Sequence, residues 1–225
     1  MEIMNAAEAF ILLGPPGSGK STQAEMCRVK LGIEHIDMGA ALRKSAQEPT
    51  PFGMKVNEMM NRRQQLVPDE IVHAVLENAL RDMPRGQSVM IDGAPRRENQ
   101  IDEVLSLIER YGKRFRKVIF IELAETDSVE RISRRFSCLD CGMKLIFGEN
   151  FFDAKERCPA CGGKVSQRTD DTPEGVSRRW KIFHDDTMPV LQYFEAKGQL
   201  SRIPGNNAPE NIFREIERII TDRLV

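Results

Sequence analysis

The residues best suited to chemistry stand near the start of the chain, in a glycine-rich segment from Gly14 to Ser21. The segment fits G-x-x-x-x-G-K-[ST] at every fixed position, with an apolar run before it and a helical pattern after it. Glycines allow successive backbone amides to point at phosphate oxygens, Lys20 can reach terminal phosphates, and the hydroxyl of Ser21 can face Mg²⁺. We predict a phosphate-binding loop; the alternative is a strand-to-helix turn without a ligand.

Arginine side chains recur at the ends of the predicted elements and suit the same chemistry. Phosphoryl transfer depends on positioning and charge stabilisation rather than on covalent help from the protein. The candidates are Arg43, Arg96, Arg131, Arg135, Arg168 and Arg179. Each of them, taken singly, also fits a solvated surface charge. Asp92 directly follows an apolar strand, where parallel sheets place ligand groups, so its carboxylate can hold Mg²⁺ through water. The alternative is a turn aspartate before Gly93.

Four of the five cysteines form two C-x-x-C pairs, separated by sixteen residues. They are Cys138, Cys141, Cys158 and Cys161. This spacing is typical of a tetrahedral thiolate site for zinc, although four thiolates also accept iron. Four protein ligands leave no open position, so we predict a structural metal that folds a lobe with little core of its own. The alternatives are free thiols or disulfides, and a zinc ribbon that binds nucleic acid, which the mixed charges between the pairs disfavour.

The elements that must position these groups alternate between strands and helices. Apolar runs predict strands at 9–13, 88–91 and 117–123, and helical spacing predicts helices from 23 onward and at 68–81, 101–111 and 208–224. This alternation predicts an α/β fold with a parallel sheet flanked by helices on both faces. The segments 37–67 and 134–171 fit the alternation poorly, so we interpret them as insertions.

Composition narrows the class of protein. The 225 residues are 40% apolar and 30% charged, with a mean hydropathy of −0.41, which is typical of one globular domain with small insertions. A net charge of −1 means that no overall field attracts nucleic acid or an anionic membrane. The longest apolar run is far shorter than a membrane span, and the first residues do not resemble a secretory signal. We expect a cytoplasmic protein without a nucleic-acid or membrane partner.

Further motifs follow the phosphate loop in order along essentially the whole chain. They are HIDMGAALR at 35–43, LVPDE at 66–70, DGAPR at 92–96, RISRR at 131–135 and RTDD at 168–171. Together they resemble the adenylate kinase family, in its form with a zinc-bearing lid. The resemblance implies that ATP and AMP are interconverted with two ADP by a monomer with a P-loop NTPase-type core. It assigns 1–36, 68–133 and 172–225 to that core, 37–67 to a helical NMP-binding lobe and 134–171 to a zinc-binding lid.

The resemblance also implies roles for individual residues. ATP would be held by Gly17, Ser18, Gly19, Lys20, Ser21, Thr22, Arg131, Arg135, Leu145 and Asn207. AMP would be held by Met38, Arg43, Gln65, Leu66, Val67, Gly93, Ala94, Pro95, Arg96, Gln100, Arg168 and Arg179. The catalytic set would be Lys20, Asp92, Arg96, Arg135, Arg168 and Arg179, with Asp92 orienting Mg²⁺. Asp170 would hold the closed lid, and Gln100, whose amide can both donate and accept, would read adenine.

The chain departs from the family pattern at several of these positions. Met38 and Ala40 stand where the family usually has a hydroxyl residue and an acid, and Ala94 replaces a usual phenylalanine. A thioether cannot donate the hydrogen bond that a threonine would offer to a base. In the lid, Leu145 stands where a tyrosine commonly lies beside the ATP ring. A UMP/CMP or GMP kinase of the same fold is therefore an alternative. An alternative from another class is a zinc-ribbon ATPase that uses ATP to switch a contact with a protein or an RNA.

Overall fold

Strands and helices alternate along most of the chain. The computed structural model describes residues 7–62, 65–84, 86–152, 157–168 and 170–222. Its strands are β1 Ala7–Leu13, β2 Glu34–Asp37, β3 Val89–Asp92, β4 Lys113–Glu122, β5 Arg135–Cys138, β6 Lys144–Ile146, β7 Val165–Ser166 and β8 Leu200–Pro204. Its α-helices are α1 Lys20–Leu31, α2 Met38–Ser45, α3 Pro51–Asn57, α4 Asp69–Arg81, α5 Ile101–Arg110, α6 Glu125–Ser133, α7 Pro173–Ile182, α8 Met188–Ala196 and α9 Pro209–Thr221. Short π-helical segments follow α3 and α7, at Glu58–Arg62 and Phe183–Thr187, and a 3₁₀ turn at Glu98–Gln100 precedes α5.

Five strands form one parallel sheet in the order β2-β3-β1-β4-β8, which confirms the predicted α/β fold. The central strand β1 is almost fully buried from Ala9 to Leu13, because both faces of the sheet are covered. In the register, Leu12 of β1 and Asp37 of β2 both pair with Asp92 of β3. The carboxyl ends of these three strands therefore meet at one edge, where open α/β sheets bind their ligands.

Helices cover the two faces of the sheet and bury its apolar side chains in two clusters. One cluster joins the sheet to α1 and α9, and it includes Cys27, Phe213 and Ile216. The larger cluster joins the other face to α4, α5 and α8, and it includes Leu76 and Leu107. Cys27 of α1 is fully buried in the first of these clusters, where its thiol packs as a small apolar group. Full burial of a leucine or phenylalanine side chain contributes about 1.5–3 kcal/mol, so these helices fix the sheet firmly.

The segment between β2 and α4 is helical and is anchored beside the carboxyl edge of the sheet. The Oδ1 atom of Asp37 accepts a hydrogen bond from the amide of Ala40 at 2.8 Å, which caps the first turn of α2. Thr50 caps α3 in the same way. Leu42 and Val56 bury their side chains in the larger core cluster. The cap at Asp37 thus sets the direction in which α2 leaves the sheet.

The segment after α6 forms a separate antiparallel sheet of three strands in the order β6-β5-β7. Its apolar interior is formed largely by Leu145 and Phe151, which are buried, and the half-exposed ring of Phe147 and the ring of Phe136 pack around Phe151, with ring centroids 5.2 to 6.5 Å apart. So small a core needs further cross-linking to be stable. The division of the chain into core, lobe and lid at 37–67 and 134–171 stays a prediction.

Some element bounds differ from the predicted ones. β4 begins at Lys113, four residues before 117, because Arg114 and Arg116 form ion pairs with Glu8 of β1 and extend the pairing of the two strands. β2 and β8 have no continuous apolar run, so the sequence pattern does not single them out. α9 ends at Thr221, and the predicted helix end at 224 lies outside the described residues. Within the described ranges, every helix is too short or too polar to cross a membrane.

Candidate active site

A cavity of about 560 Å³ opens at the carboxyl edge of the parallel sheet. The glycine-rich loop, α2, the 3₁₀ turn before α5, the small antiparallel sheet and α7 all contribute to its wall. The predicted site residues that line it are Gly17, Ser18, Gly19, Lys20, Ser21, Thr22, Met38, Arg43, Gln65, Leu66, Val67, Asp92, Gly93, Arg96, Gln100, Arg131, Arg135, Leu145, Arg168, Arg179 and Asn207. Motifs spread over the whole chain thus converge on one cavity.

The glycine-rich loop joins β1 to α1 in a conformation that requires glycine. Gly17 and Gly19 have φ angles of 76° and 92°, which L side chains rarely adopt. The Nζ atom of Lys20 donates hydrogen bonds to the carbonyl oxygens of Gly14 and Pro15 at 2.8 and 2.9 Å. Burial lowers the pKa of Lys20 to about 8, although the charge of Asp92 opposes this shift. An anion at the N-terminus of α1 would therefore contact backbone amides, and its charge would stabilise the protonated form of Lys20.

Asp92 is a buried, ionised carboxylate beside this loop. Its Oδ2 atom accepts a hydrogen bond from the Oγ atom of Ser21 at 2.8 Å, and only 4% of the residue is exposed. Burial by itself would raise the pKa of Asp92, but His35, Lys20 and Ser21 together hold it below its ordinary value. The two oxygens joined by this hydrogen bond form the kind of hard donor pair that Mg²⁺ prefers.

A buried carboxylate holds two of the predicted catalytic arginines. Asp171, whose side chain is fully buried, accepts two hydrogen bonds from Arg135, at 2.9 and 2.5 Å, and one from Arg179 at 3.0 Å. Among the described residues, the carboxylate of Asp170 pairs with Arg179 alone, at 3.1 Å, and its side chain is 35% exposed. The resemblance implies that Asp170 holds the lid. In the structure Asp171 makes the stronger connection between β5 of the small sheet and α7.

Three other predicted arginines face the cavity without a protein partner. The guanidinium groups of Arg43, Arg131 and Arg168 form no hydrogen bond or ion pair with any residue in the described ranges. Burial, together with the neighbouring positive charges of Arg135 and Arg43, lowers the pKa of Arg168 to about 10. Unpaired, partly buried cations of this kind are stabilised by bound anions, and the planar guanidinium matches phosphate.

Gln100 lies at the cavity wall with its amide already engaged. Its Oε1 atom accepts hydrogen bonds from the backbone amides of Arg96 and Arg97 at 2.7 and 3.3 Å, and its Nε2 atom donates to Asp69 at 2.6 Å. The residue is 3% exposed. In this conformation Gln100 fixes the backbone that carries Arg96, and one N–H of its amide remains for a ligand.

Ala94 and Pro95 are the two predicted binding residues whose side chains the structure does not bring to the cavity. Both are buried behind the wall, and Ala94 packs in the larger core cluster. The positive φ of Gly93, 92°, turns the chain at this point, so Gly93 and Arg96 face the cavity while the residues between them face the core. Any contact from Ala94 or Pro95 to a ligand must therefore come from their backbone.

The small sheet contributes a cavity residue that sequence reasoning missed. Along β6 the side chain of Leu145 is buried, Lys144 and Ile146 on either side of it are exposed, and all three residues line the cavity. The charge of Lys144 interacts with those of Asp37 and Asp92 across the cavity. The signal available in the sequence was the two-residue period of a strand, in which the neighbours of a buried leucine are exposed.

The four predicted metal ligands come together at the far end of the small sheet. The Sγ atoms of Cys138 and Cys161 lie 3.5 Å apart, and those of Cys141 and Cys158 lie 3.6 Å apart. Zinc bound tetrahedrally at about 2.3 Å places its sulfurs about 3.8 Å apart. All five cysteines of the chain carry free thiols. The donor set and its geometry therefore fit a tetrahedral thiolate metal.

Comparison with known proteins shows the same family along most of the chain. The family model described as adenylate kinase matches residues 12–199. The chain is 34% identical over 210 residues to an adenylate kinase of Syntrophomonas wolfei, which covers 92% of this chain and 96% of the relative. It is 34% identical over 213 residues to an adenylate kinase of Archaeoglobus fulgidus, covering 94% and 97% of the two chains. It is 33% identical over 211 residues to an adenylate kinase of Methanosarcina barkeri, again covering 94% and 97%.

Proposed function

Because the chain belongs to the adenylate kinase family and is a nucleoside monophosphate kinase, we propose that it transfers the γ-phosphoryl group of MgATP to AMP, giving two ADP. One observation carries the proposal: a single cavity joins the glycine-rich loop to arginines from α2, β5 and α7. Such a cavity accommodates a triphosphate on the loop and a monophosphate opposite it. The test is ATP-dependent phosphorylation of a panel of nucleoside monophosphates.

The proposed mechanism uses positioned positive charge and no covalent intermediate. An oxygen of the AMP phosphate attacks the γ-phosphorus in line, and the bond from that phosphorus to the departing ADP breaks. Lys20 and the loop amides hold the triphosphate, and Arg43 and Arg96 hold the acceptor. Arg135, Arg168 and Arg179 surround the migrating group and stabilise the charge that spreads over its oxygens.

Ser21 and Asp92 would hold Mg²⁺, which fits their oxygen donors. The ion supplies neutralisation of charge between the β- and γ-phosphates. The side chains of the protein supply the other catalytic groups. Asp171 fixes the two guanidinium groups of Arg135 and Arg179, so they need little rearrangement during transfer. Closure of the lid over the cavity would exclude water and prevent hydrolysis of ATP before AMP has bound.

The lowered pKa of Lys20 predicts that ATP binding takes up a proton at alkaline pH. Below pH 8 Lys20 is already protonated, so its titration leaves the affinity unchanged. Above pH 8 the free protein must gain a proton before the ammonium can pair with phosphate. The dissociation constant for ATP should then rise by up to about tenfold per pH unit. Calorimetry at pH 9 in buffers of different ionisation enthalpy measures this uptake, which should disappear in Lys20→Met; no uptake in the parent protein would contradict the assignment.

We also propose that zinc occupies the four-cysteine site and has a structural role. The support is the fit of the sulfur spacing to tetrahedral zinc and the small apolar interior of the sheet that carries it. Iron would fit the same thiolates, so the metal content of the purified protein decides between the two. The site lies apart from the residues that line the cavity.

Removing this metal should lower stability far more than catalysis. We expect chelation to lower the Tm by about 10 °C or more, while turnover at 15 °C falls only severalfold, because the metal folds the lid but touches no substrate. Cys161→Ser should lose metal, and Cys27→Ala, the matched control at the buried thiol outside the site, should retain one metal per chain. Equal losses of Tm and of turnover on chelation would argue against a purely structural metal.

The remaining proposals concern the compartment, the oligomeric state and the partners of the enzyme. We propose that it acts as a cytoplasmic monomer without nucleic-acid or membrane partners. The free thiols suit a reducing compartment, and the near-neutral net charge gives no attraction to polyanions.

A UMP/CMP or GMP kinase remains the second candidate, because Met38 lines the cavity and its thioether offers no hydrogen-bond donor to a base. A zinc-ribbon ATPase switch would instead require ATP turnover without an acceptor.

A further inference from the structure

Three side chains that commonly bind metals meet beside the glycine-rich loop. His35 and Asp37 lie on β2, and Asp92 ends the neighbouring strand β3. Because side chains at alternate positions of a strand point to the same face, His35 and Asp37 share one side of β2. A ligand atom from each of the three residues lies within 4.8 Å of the other two.

The imidazole of His35 is buried, and one of its nitrogens has no partner. The side chain is 10% exposed, and Nε2 makes no hydrogen bond with any described residue. The Oδ2 atom of Asp92 lies 3.6 Å from it, beyond hydrogen-bonding distance. A buried unpaired nitrogen is costly, so it needs either a partner or a functional explanation. A neutral imidazole nitrogen facing carboxylates is a common arrangement of metal ligands.

Both carboxylates can contribute an oxygen. Oδ1 of Asp37 caps α2 through the amide of Ala40, and the other oxygen of this carboxylate has no hydrogen bond with a residue of the described ranges. Asp92 shares Oδ2 with Ser21, whose hydroxyl can turn away or become a further ligand. Lys20 and Lys144 also place positive charge near these carboxylates, so a cation would enter in competition with them.

The mixture of donors selects a class of cation. Mg²⁺ prefers oxygen ligands in near-ideal octahedral geometry, whereas imidazole nitrogen favours first-row transition metals. Ligands at about 2.1 Å from one ion lie about 3 Å apart when adjacent and about 4.2 Å apart when opposite. Binding of an ion would therefore draw the three side chains together from their present spread of up to 4.8 Å.

We propose that His35, Asp37 and Asp92 bind a divalent transition-metal ion such as Mn²⁺ directly, through one nitrogen and two carboxylates, before any nucleotide arrives. The inference deepens the proposed function and rests on it, since the ion would meet the nucleotide phosphates at the same edge of the sheet. Binding of the ion itself is nevertheless independent of phosphoryl transfer.

The experiment is a titration of the zinc-replete, nucleotide-free protein with Mn²⁺, followed by electron paramagnetic resonance. We expect one bound Mn²⁺ per chain, at least about tenfold tighter than Mg²⁺ in competition, with hyperfine coupling to a nitrogen in pulsed spectra. His35→Leu should abolish the coupling, and His35→Leu and Asp37→Asn should each weaken Mn²⁺ binding about tenfold or more. His73→Leu is the matched control, because His73 lies on α4 outside the cavity.

The same variants also distinguish metal ligation by His35 and Asp37 from a purely structural role of these residues. His35→Leu removes a buried unpaired nitrogen, so its Tm should equal or exceed that of the parent protein. Asp37→Asn keeps a side-chain oxygen for the cap of α2. Absence of Mn²⁺ binding, binding without nitrogen coupling, or unchanged affinity in both variants would overturn the proposal. Since no nucleotide is used, a protein that fails to phosphorylate AMP can still pass this test.

Discussion

Replacing Lys20 by alanine is expected to lower the rate of phosphoryl transfer about a thousandfold or more. The ammonium group lies against the loop carbonyls in a buried position, where its interaction with phosphate is strong because water is largely excluded. Alanine removes the charge without blocking the loop. Steady-state kinetics with saturating ATP and AMP should show the loss mainly in kcat, because this charge is most effective in the transition state.

The matched control is Lys30→Ala, on the same helix. Lys30 is exposed near the other end of α1, where its ammonium lies over the ring of Phe213. Its removal should leave kcat within about twofold of the parent value, because no phosphate is near. A Lys20→Ala protein that is folded and retains more than a tenth of the parent kcat would contradict the role given to Lys20.

Asp171→Asn is expected to produce the second largest effect, on stability and catalysis together. The carboxylate is fully buried and accepts three hydrogen bonds from Arg135 and Arg179. A neutral amide leaves the partly buried guanidinium group of Arg135 without its counter-charge and leaves Arg179 with Asp170 alone, at a cost of about 3–5 kcal/mol. We expect a lower free energy of unfolding and a loss of about a hundredfold in kcat, because both arginines lose their fixed orientation.

Asp170→Asn is the control that tests whether the large effect of Asp171→Asn is due to the burial of Asp171. Within the described part of the chain, the carboxylate of Asp170 forms an ion pair with Arg179 alone and is partly exposed, so this change should cost about 1 kcal/mol or less and alter kcat only severalfold. Denaturant unfolding and initial-rate measurements on the two variants provide the comparison. If Asp170→Asn were the more damaging of the two, the lid would depend on Asp170, as the sequence resemblance implies.

Most of the fold follows from local patterns in the sequence. The apolar run before Gly14 and the helical spacing after it can be recognised without any other part of the chain, and the same holds for β3, β4 and α9. The short strand β2 could not be recognised in this way, because only Ile36 among its four residues is apolar. Its place in the sheet depends on pairing with β3, a contact between distant parts of the chain.

The site was predictable where a residue type and its motif determine the chemistry. Lys20, Asp92 and the six predicted arginines come from six separate segments of the chain, and all of them line the cavity. Pairings between distant residues were not predictable. No spacing rule shows that Asp171, rather than its neighbour Asp170, is buried against two arginines, or that the amide of Gln100 is engaged by backbone. These choices follow from packing of the folded chain.

The preference for AMP as acceptor can be measured by ATP-dependent phosphorylation of AMP, dAMP, CMP, UMP and GMP. The metal-replete protein would be assayed with each acceptor and in a control without one. We expect kcat/KM for AMP to exceed that for CMP, UMP and GMP by about a hundredfold or more, with negligible hydrolysis in the control. A preference for CMP, UMP or GMP would contradict AMP as the acceptor and make the protein a UMP/CMP or GMP kinase. Rapid ATP turnover without an acceptor would contradict the kinase assignment.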